Sequence, residues 1–290
     1  MKLGAVSYMT DYGIDPAELA RELEAHGYES MWCGDHSHVP ISSRDRDAPD
    51  LSGEPLMEYK HLLDPIVALA IAARATTTLT LGPGMLLLAQ RDPIQTAKSL
   101  ASLDFVSGGR LICGIAAGWN VKELRNHGTD PDERWAVLEE RLEAMKTIWR
   151  SHVAERSGER VSFTPLVAWP KPRPEMPIVL GCDPVNLAKV VAHADEWAPL
   201  VAGWSHEKLV RSIARLQQLA AEAGRGRIPV TVFPLVERVE ALALGSGLEL
   251  DEAQIGAYED AGVDRLVVVL PPRRERTLPL LEHYARLVTT

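Results

Sequence analysis

The chain has 290 residues, which suffice for one large α/β domain or two smaller ones. Its net charge is −9, and no basic cluster is interleaved with aromatic residues, so a nucleic-acid-binding surface is not expected. No apolar run reaches the ~20 residues of a membrane span, and the apolar stretch at the start is too short for a secretory signal. The composition therefore predicts a soluble, cytoplasmic protein.

Five Asp-Pro pairs predict where helices begin. An Asp before the first turn accepts hydrogen bonds from free amides, and Pro at the first helical position lacks an N–H that would have no partner there. The pairs are Asp15-Pro16, Asp64-Pro65, Asp92-Pro93, Asp130-Pro131 and Asp183-Pro184. They predict helices over 15–26, 64–75, 93–106, 131–149 and 184–193, and apolar periodicity adds 206–223, 251–261 and 277–288.

Short apolar runs alternate with these helices and predict strands. They cover 3–9, 28–33, 79–82, 110–116, 178–181, 195–199, 229–235 and 265–270. Apolar runs without polar alternation are typical of parallel strands that are covered on both faces. Eight strand–helix pairs predict a (β/α)8 TIM barrel that forms a single α/β domain over 1–290. A doubly wound open sheet is the competitor, but the first strand lacks the glycine fingerprint of that fold.

Residues 151–175 interrupt the alternation. They are polar at first, then apolar over 161–167, and rich in proline between 170 and 177. We interpret them as an insertion that crosses the edge of the barrel. Together with the loops 37–61 and 199–205, and with Arg273-Arg274 after the last strand, this insertion is expected to shape the pocket.

Residues that follow the strands are the candidates for chemistry, because barrel enzymes place their sites at the carboxyl ends of the strands. Asp35-His36 follows the second strand, and a carboxylate beside an imidazole sets the tautomer of the ring and raises its basicity. His36 is therefore a candidate proton donor or acceptor. The third strand ends in Gly82-Pro83-Gly84, which predicts a bulge that redirects the chain.

The stretch 107–120 is the centre of the pattern and ends in Gly118-Trp119-Asn120. Gly118 gives the backbone freedom at the end of a buried strand, and Trp119 and Asn120 offer an aromatic face and an amide to a flat ring. After the fifth strand, Gly181-Cys182-Asp183 opens a helix whose free amides suit a phosphate, although a plain helix cap explains these residues equally well. Together these residues predict a pocket with a few polar groups on apolar walls, but they do not name a reaction.

Metal binding is not expected. The cysteines at 33, 113 and 182 are odd in number, far apart and without the spacing of metal ligands, so neither a zinc site nor a disulfide framework is predicted. His36-Ser37-His38 resembles the paired histidines of metal-dependent hydrolases. Those barrels need further ligands on later strands, and here the later strands end in Ala198-Pro199 and Pro271-Pro272.

Motifs in order along the chain resemble the bacterial luciferase-like monooxygenase superfamily. They are Asp35-His36, Gly84 through Leu88, Gln90 through Pro93, Ala97-Lys98, Leu103 through Leu111 and Gly114 through Asn120. The similarity covers nearly the whole chain and is strongest over 60–150. Within the superfamily, the Gly-Trp-Asn ending is more similar to the branch that uses the deazaflavin coenzyme F420 than to the alkanesulfonate monooxygenases that use FMN.

The resemblance implies a set of site residues. His36 and Asp35 would lie at the redox face of the cofactor as catalytic residues, with Asp35 also binding the cofactor and orienting His36. A non-prolyl cis peptide at Gly84–Met85 would press on the ring. The other residues implied to bind the cofactor are Leu86, Gly118, Trp119, Asn120, Gly181, Cys182 and Asp183. A homodimer is also implied.

Two departures from the family pattern matter. The loop after the fifth strand usually carries Gly-Gly, and here the second position is Cys182. Sugar-phosphate dehydrogenases of the family carry a glutamate where this chain has Trp119, which argues against a sugar-phosphate substrate. The expected function is hydride transfer between coenzyme F420 and a small organic substrate. The alternatives are an FMN-dependent monooxygenase that uses O2 and a non-catalytic flavin-binding protein.

Overall fold

The described parts of the chain, residues 1–41, 57–235 and 249–288, form a parallel barrel with surrounding helices in the computed structural model. The strands are β1 (Lys2–Ser7), β2 (Ser30–Cys33), β3 (Thr80–Pro83), β4 (Leu86–Leu87), β5 (Cys113–Ala116), β6 (Ala154–Ser157), β7 (Ser162–Leu166), β8 (Ile178–Gly181), β9 (Glu196–Ala198), β10 (Leu200–Ala202), β11 (Thr231–Leu235) and β12 (Arg265–Leu270). The helices are α1 (Pro16–Ala25), α2 (Pro65–Ala75), α3 (Pro93–Ser107), α4 (Val121–Asn126), α5 (Arg134–Arg150), α6 (Leu187–His193), α7 (His206–Glu222), α8 (Glu252–Asp260) and α9 (Arg274–Val288).

Backbone pairing runs around the whole barrel. One sheet has the order β10-β11-β12-β1-β2-β3, and a second has the order β4-β5-β8-β9. Isolated parallel bridges join the two sheets on both sides, from Leu81 to Leu111 and from Trp197 to Val230. With β3 and β4 counted as one interrupted strand, and β10 as an extension beside β11, eight parallel strands form the ring. The predicted barrel is confirmed.

Three of the five Asp-Pro pairs begin α-helices as predicted. Asp15, Asp64 and Asp92 cap α1, α2 and α3, and each side chain accepts hydrogen bonds from free amides of the first turn. In each case Pro occupies the first helical position, where no intrahelical acceptor is available for an N–H.

The other two pairs do not begin α-helices, and the prediction is wrong there. The Asp130 side chain accepts from the Asp132 amide, and the Asp130 carbonyl accepts from the Glu133 amide, so the capping groups are used in a turn. Helix α5 then begins at Arg134. Asp183-Pro184 opens a short 3₁₀ turn over Pro184–Asn186, and Asp183 makes no side-chain cap.

The interior of the barrel is filled by Trp32, whose side chain is fully buried. Its indole N–H donates to Ser30 Oγ at 2.9 Å, and the Phe233 ring meets it edge-on. Glycines on neighbouring strands make room for the indole. A Cβ on Gly82 would lie 2.8 Å from the ring, and a Cβ on Gly114 would lie 3.1 Å from it. Glycine is required at 82 because of the close approach of the indole, and at 114 chiefly because a Cβ would lie 2.1 Å from the Pro83 carbonyl oxygen.

A buried ion network closes the amino end of the barrel. Arg265, the first residue of β12, donates to the Glu29 carboxylate at 2.8 and 3.0 Å. The same guanidinium donates to Glu196 at 2.7 Å and to the Thr231 hydroxyl at 2.8 Å. The Arg265 side chain is only 7% exposed, so this buried cation is matched by two carboxylates.

The insertion 151–175 forms an antiparallel hairpin of β6 and β7 on the outside of the barrel. The Glu140 carboxylate of α5 accepts hydrogen bonds from two backbone amides of the hairpin turn, at 3.0 Å. Further along, the Arg173 guanidinium donates to the Leu111 carbonyl just before β5. These contacts lie on an outer helix and at the amino end of the barrel. The Arg160 guanidinium also donates to Glu133, at the start of α5, and the expectation that the insertion shapes the pocket stays a prediction.

All three cysteines are free and buried, which confirms that the chain has no disulfide framework. Burial raises the pKa of the Cys33, Cys113 and Cys182 thiols to about 12, so they remain protonated and unreactive at neutral pH. Among the helices within the described ranges, none is both long and apolar enough to cross a bilayer.

Candidate functional site

Asp35 forms an ion pair with Arg91 at the carboxyl end of the barrel. Arg91 Nε and Nη2 donate to the two Asp35 oxygens at 3.0 and 2.7 Å, and the Leu87 amide donates to Asp35 at 2.8 Å. Arg91 also donates to the Asp64 carboxylate at 2.9 Å. Burial alone would lower the pKa of Arg91, but the two carboxylates raise it. Asp35 therefore ties the loop after β2 to β4.

His36 pairs with a different carboxylate. Its Nδ1 lies 2.7 Å from Glu123 Oε2, and Glu123 belongs to α4, 87 residues further along the chain. The expectation that Asp35 orients His36 is wrong, because both Asp35 oxygens are engaged by Arg91. A role for Asp35 at a cofactor stays a prediction.

Glu123 is held on both of its oxygens. The Ser37 amide donates to Oε1 at 3.0 Å and the Ser37 hydroxyl donates to it at 3.3 Å, while Oε2 pairs with His36. The Glu123 side chain is 0% exposed. Burial alone would raise the pKa of the Glu123 carboxyl, but the hydrogen bond and charge of His36 and the Ser37 amide hold it below its ordinary value. Glu123 is thus a buried carboxylate that stays ionised at neutral pH.

Aromatic rings enclose the His36 imidazole. Tyr59 stacks on it with 4.6 Å between ring centroids and 22° between planes. Trp119 meets it edge-on at 5.5 Å, and Tyr8 packs against Tyr59 at 5.4 Å. Burial raises the pKa of both tyrosines, so their hydroxyls stay protonated. His36 therefore lies in an aromatic wall, with 8% of its side chain exposed.

The Ser37 hydroxyl lies at the centre of a polar cluster beside this wall. It is 2.8 Å from His38 Nδ1 and 2.7 Å from His127 Nε2. His38, Glu123 and His127 each place a possible metal ligand within 4.8 Å of the others. The hydroxyl occupies the space between them, and Asn126 bonds the far nitrogen of His38 at 2.8 Å. Hydrogen bonds alone satisfy the cluster when Ser37 donates to Glu123 and both imidazoles donate to Ser37.

The bulge between β3 and β4 has the cis peptide bond at Gly84–Met85 that the resemblance implies. The Met85 side chain packs between neighbouring strands: a Cβ on Gly181 would lie 2.9 Å from Met85 Cγ, and a Cβ on Gly114 would lie 3.1 Å from its sulfur. The structure thus brings Met85 and Gly181 together, as expected of residues around one ligand. Leu86 is fully buried in β4.

Gly118-Trp119-Asn120 forms the turn between β5 and α4. Gly118 has a φ of 89°, which favours glycine, and the Trp119 side chain is 52% exposed beside His36. The Asn120 side chain caps α4 by accepting from the Lys122 and Glu123 amides. Its oxygen is therefore used in the cap, and only its amide nitrogen remains for a ligand.

Gly181-Cys182-Asp183 lies at the carboxyl end of β8. The Cys182 carbonyl accepts a hydrogen bond from the Trp197 indole at 3.0 Å, which fixes this segment. Asp183 is exposed. The two arginines after β12 both have partners, because Arg273 lies over the Tyr12 ring and Arg274 pairs with Glu18.

Three buried polar atoms at the carboxyl end of the barrel have no partner among the described residues. They are Ser7 Oγ, at the end of β1, Thr10 Oγ1, just beyond it, and Gln90 Nε2, after β4. Buried polar groups are normally hydrogen-bonded, so each unpartnered one calls for a ligand, a water or further protein atoms. A flat ring with carbonyl and N–H groups on its edge has the matching chemistry.

Sequence reasoning missed Glu123 and both tyrosines. Glu123 follows Asn120 by three residues, a spacing typical of a capping box, and nothing local shows that its side chain turns to His36 instead. Tyr59 lies in a 3₁₀ turn, Met57–His61, within the loop 37–61 that was expected to shape the pocket, but the sequence did not single it out. Their roles depend on long-range contacts that a single sequence does not show.

Comparison with known proteins places this arrangement in a family. A family model described as luciferase-like monooxygenase matches residues 10–243. The uncharacterised protein Rv0953c of Mycobacterium tuberculosis is 34% identical over 275 residues, which cover 93% of this chain and 96% of the relative.

Two solved structures have the same fold and differ in cofactor. An F420-dependent secondary alcohol dehydrogenase, in complex with an F420-acetone adduct, gives a TM-score of 0.75 at 16% identity over 99% of each chain. The oxygenating constituent of 3,6-diketocamphane monooxygenase from Pseudomonas putida, in complex with FMN, gives 0.74 at 15% identity over 99% of this chain and 98% of that one. The matched span and the close relative show that the chain belongs to the luciferase-like monooxygenase family of oxidoreductases.

Proposed function

We propose that the protein transfers a hydride between coenzyme F420 and a small organic substrate. The observation that carries the proposal is the His36–Glu123 pair inside an aromatic wall at the carboxyl end of the barrel. Hydride transfer to or from a carbonyl, an imine or an activated double bond needs one proton to move with it. A histidine whose Nδ1 is held by a buried carboxylate has its other nitrogen available for that proton.

The protein's own residues would supply position, shape and proton transfer. His36 Nε2 would give a proton to the substrate during reduction or take one during oxidation. Tyr59 and Trp119 fix the plane of the imidazole and exclude water from its faces. The substrate would lie against this aromatic wall.

The cofactor would be held by the residues around the bulge and the strand ends. Gly84, Met85 and Leu86 would support the ring, Gly118 through Asn120 would line one side, and Gly181 through Asp183 would receive the phosphate. Ser7 and Gln90 would supply the unpartnered donors for polar groups on the edge of the ring. When bound, the deazaflavin supplies the hydride chemistry, and the protein supplies its orientation.

The test is an equilibrium titration of the cofactor-free protein with coenzyme F420 and, separately, with FMN. We expect micromolar or tighter binding of F420 alone, followed by hydride transfer to enones, imines or ketones. Replacing Trp119 with Ala should weaken F420 binding about tenfold, because an aromatic contact contributes about 0.5–1.5 kcal/mol. Trp169→Ala is the matched control, since Trp169 is similarly exposed, at 56%, but belongs to the insertion.

The same titration distinguishes the alternatives. Binding of FMN alone, with O2 consumed in step with an organic substrate, would contradict the proposal and favour a monooxygenase. Tight F420 binding without turnover on any hydride acceptor would favour a non-catalytic binding protein. Because the solved structures with this fold include both an F420-dependent and an FMN-binding enzyme, this measurement decides which cofactor the protein uses.

We also propose a homodimer, supported by an exposed apolar face on the neighbouring helices α2 and α3. Val67 and Ile71 of α2 and Ile94 and Phe105 of α3 are exposed, Phe105 to 72%. Exposed apolar patches mark interaction surfaces. Light scattering should give twice the monomer mass, and Phe105→Glu should shift the protein to the monomer. A wild-type monomer at micromolar concentration would contradict this proposal.

A further inference from the structure

We propose that Glu123 is a positioning residue that holds the proton of neutral His36 on Nδ1, which leaves Nε2 as the proton-exchanging atom. The inference rests on the proposed function, because it specifies how His36 is prepared for proton transfer. The residue that positions His36 is therefore Glu123 and not its sequence neighbour Asp35.

The geometry of the pair supports a charge-assisted hydrogen bond. The distance from His36 Nδ1 to Glu123 Oε2 is 2.7 Å, and the two side chains are 8% and 0% exposed. An N–H donor bonded to a carboxylate at this distance is among the stronger hydrogen bonds of proteins. Water does not compete for the Glu123 carboxylate, because it is fully buried.

The hydrogen-bond partners of Glu123 fix which atom carries the proton. One oxygen of its carboxylate accepts hydrogen bonds from the Ser37 amide and hydroxyl. These donors favour the ionised carboxylate, and the pKa of Glu123 is lowered. An ionised carboxylate has no proton to donate, and His36 Nδ1 must therefore be the donor. In the neutral imidazole, Nε2 then carries a lone pair. Within the described parts of the chain, Nε2 has no hydrogen-bonding partner.

The surroundings of His36 make the alternative orientation of its ring less stable than the observed one. Turning the imidazole by 180° would place a C–H group against Glu123 Oε2 and leave a buried carboxylate oxygen one donor short, which is costly. Tyr59 on the face and Trp119 at the edge leave little space for a tilted ring. The carboxylate and the two rings therefore determine a single orientation. Carboxylates play the same part beside the histidine of catalytic triads.

The direct test is ¹⁵N nuclear magnetic resonance of the cofactor-free protein at pH 8, with the His36 signals assigned by His36→Gln. We expect the Nδ1-protonated tautomer in the wild type and its loss in Glu123→Gln. Glu123→Asp, which keeps the charge, should restore most of the tautomer. Glu143→Gln is the matched control, because Glu143 also faces a histidine, His193, but at 3.4 Å and with 40% of its side chain exposed.

The kinetic readout separates positioning from simple loss of structure. Glu123→Gln should lower kcat at least tenfold with KM changed less than twofold, because His36 is no longer held in the tautomer that exchanges the proton while the binding surfaces remain. Wild-type His36 protonated on Nε2, or a Glu123→Gln variant with unchanged tautomer and kcat, would overturn the inference. The tautomer of His36 in the wild-type protein can be measured whether or not any variant folds. The expected tautomer in a protein that transfers no hydride from F420 would support the inference and count against the proposed function alone.

Discussion

The two ends of the barrel both bury charged side chains, but they differ in what those side chains leave unsatisfied. At the amino end, Arg265 donates to Glu29, Glu196 and Thr231, and its guanidinium is surrounded by acceptors. At the carboxyl end, His36 is held by Glu123 through one nitrogen only. Burial and charge are common to both ends, whereas within the described residues the Arg265 network has its donors paired and the His36 pair leaves one ring nitrogen without a partner.

This difference separates stability from function. A closed network fixes strand positions and has no remaining donor or acceptor for a ligand. The His36 pair has one ring nitrogen without a partner among the described residues, an aromatic wall beside it and unpartnered polar atoms at the same end of the barrel. Such an arrangement can bind a ligand and transfer a proton. Variants at the amino end should therefore change the free energy of unfolding, and variants at the carboxyl end should change turnover.

The largest expected effect is on stability and follows from Arg265→Met. Methionine fills much of the same space but leaves the Glu196 carboxylate buried without its cation, whereas Glu29, 25% exposed, keeps its pair with Lys2. Breaking a buried pair in this way costs about 3–5 kcal/mol of unfolding free energy. Urea denaturation at pH 7 measures the change.

The control for this variant is Arg274→Met, since Arg274 pairs with Glu18 at the surface. Exposed pairs contribute about 0–1 kcal/mol, so this variant should resemble the wild type. Equal stability of the two variants would contradict the view that the amino end is held by its buried charges. Cofactor binding at 10 °C, where Arg265→Met remains folded, should be unchanged.

The next effect is on turnover and follows from His36→Ala. Removing the proton-exchanging imidazole should lower kcat by about 10²-fold or more, while the free energy of unfolding changes little. Stopped-flow oxidation of reduced F420 by the substrate measures the rate. His26→Ala is the control, because His26 lies at the end of α1, on the amino side of the barrel, where its ring bonds the Glu22 carbonyl of the same helix.

Unchanged turnover in a folded His36→Ala protein would remove His36 from the mechanism. Loss of stability equal to that of Arg265→Met would show that His36 is a structural residue. Either result would contradict the inference that charged residues at the amino end determine stability and those at the carboxyl end determine turnover.

The fold was predictable from the sequence because its signals are local. Asp15, Asp64 and Asp92 cap helices with groups that lie within three residues of each other, and the buried strands are continuous apolar runs. Asp130-Pro131 misled the prediction because the same groups also satisfy an isolated turn. The requirement for glycine appears only in the folded barrel, where Trp32 packs against Gly82 and the Pro83 carbonyl against Gly114.

The site was predictable only in part, because its key contact is not local. His36 was identified from its place after a strand, whereas Glu123 lies 87 residues away in a position typical of a helix cap. The sequence neighbour Asp35 was the natural partner on local grounds, yet Arg91 binds it. Which carboxylate faces the imidazole depends on which loops are in contact at the carboxyl end of the barrel, and a single sequence does not show such long-range contacts.

The smallest effect is a pH dependence of stability at the amino end. Glu24 of α1 accepts hydrogen bonds from the Thr77, Thr78 and Leu79 amides at 2.6–3.0 Å and from the Thr78 hydroxyl at 2.8 Å. Burial alone would raise the pKa of Glu24, but these bonds lower it from 4.5 to about 2. The ionised carboxylate thereby ties the end of α1 to the start of β3.

The sign of the effect follows from the lowered pKa. Because the folded state binds the proton more weakly than the unfolded state, Glu24 stabilises the fold fully above pH 4.5, and this contribution declines as the pH falls towards 2. Glu24→Gln should therefore cost about 1–2 kcal/mol at pH 7, and the difference from the wild type should shrink between pH 4.5 and pH 3. Urea denaturation at several pH values measures it. Glu22→Gln, two residues earlier in the same helix, should show no such convergence, and a constant difference for Glu24→Gln would mean that packing, and not the charge, joins α1 to β3.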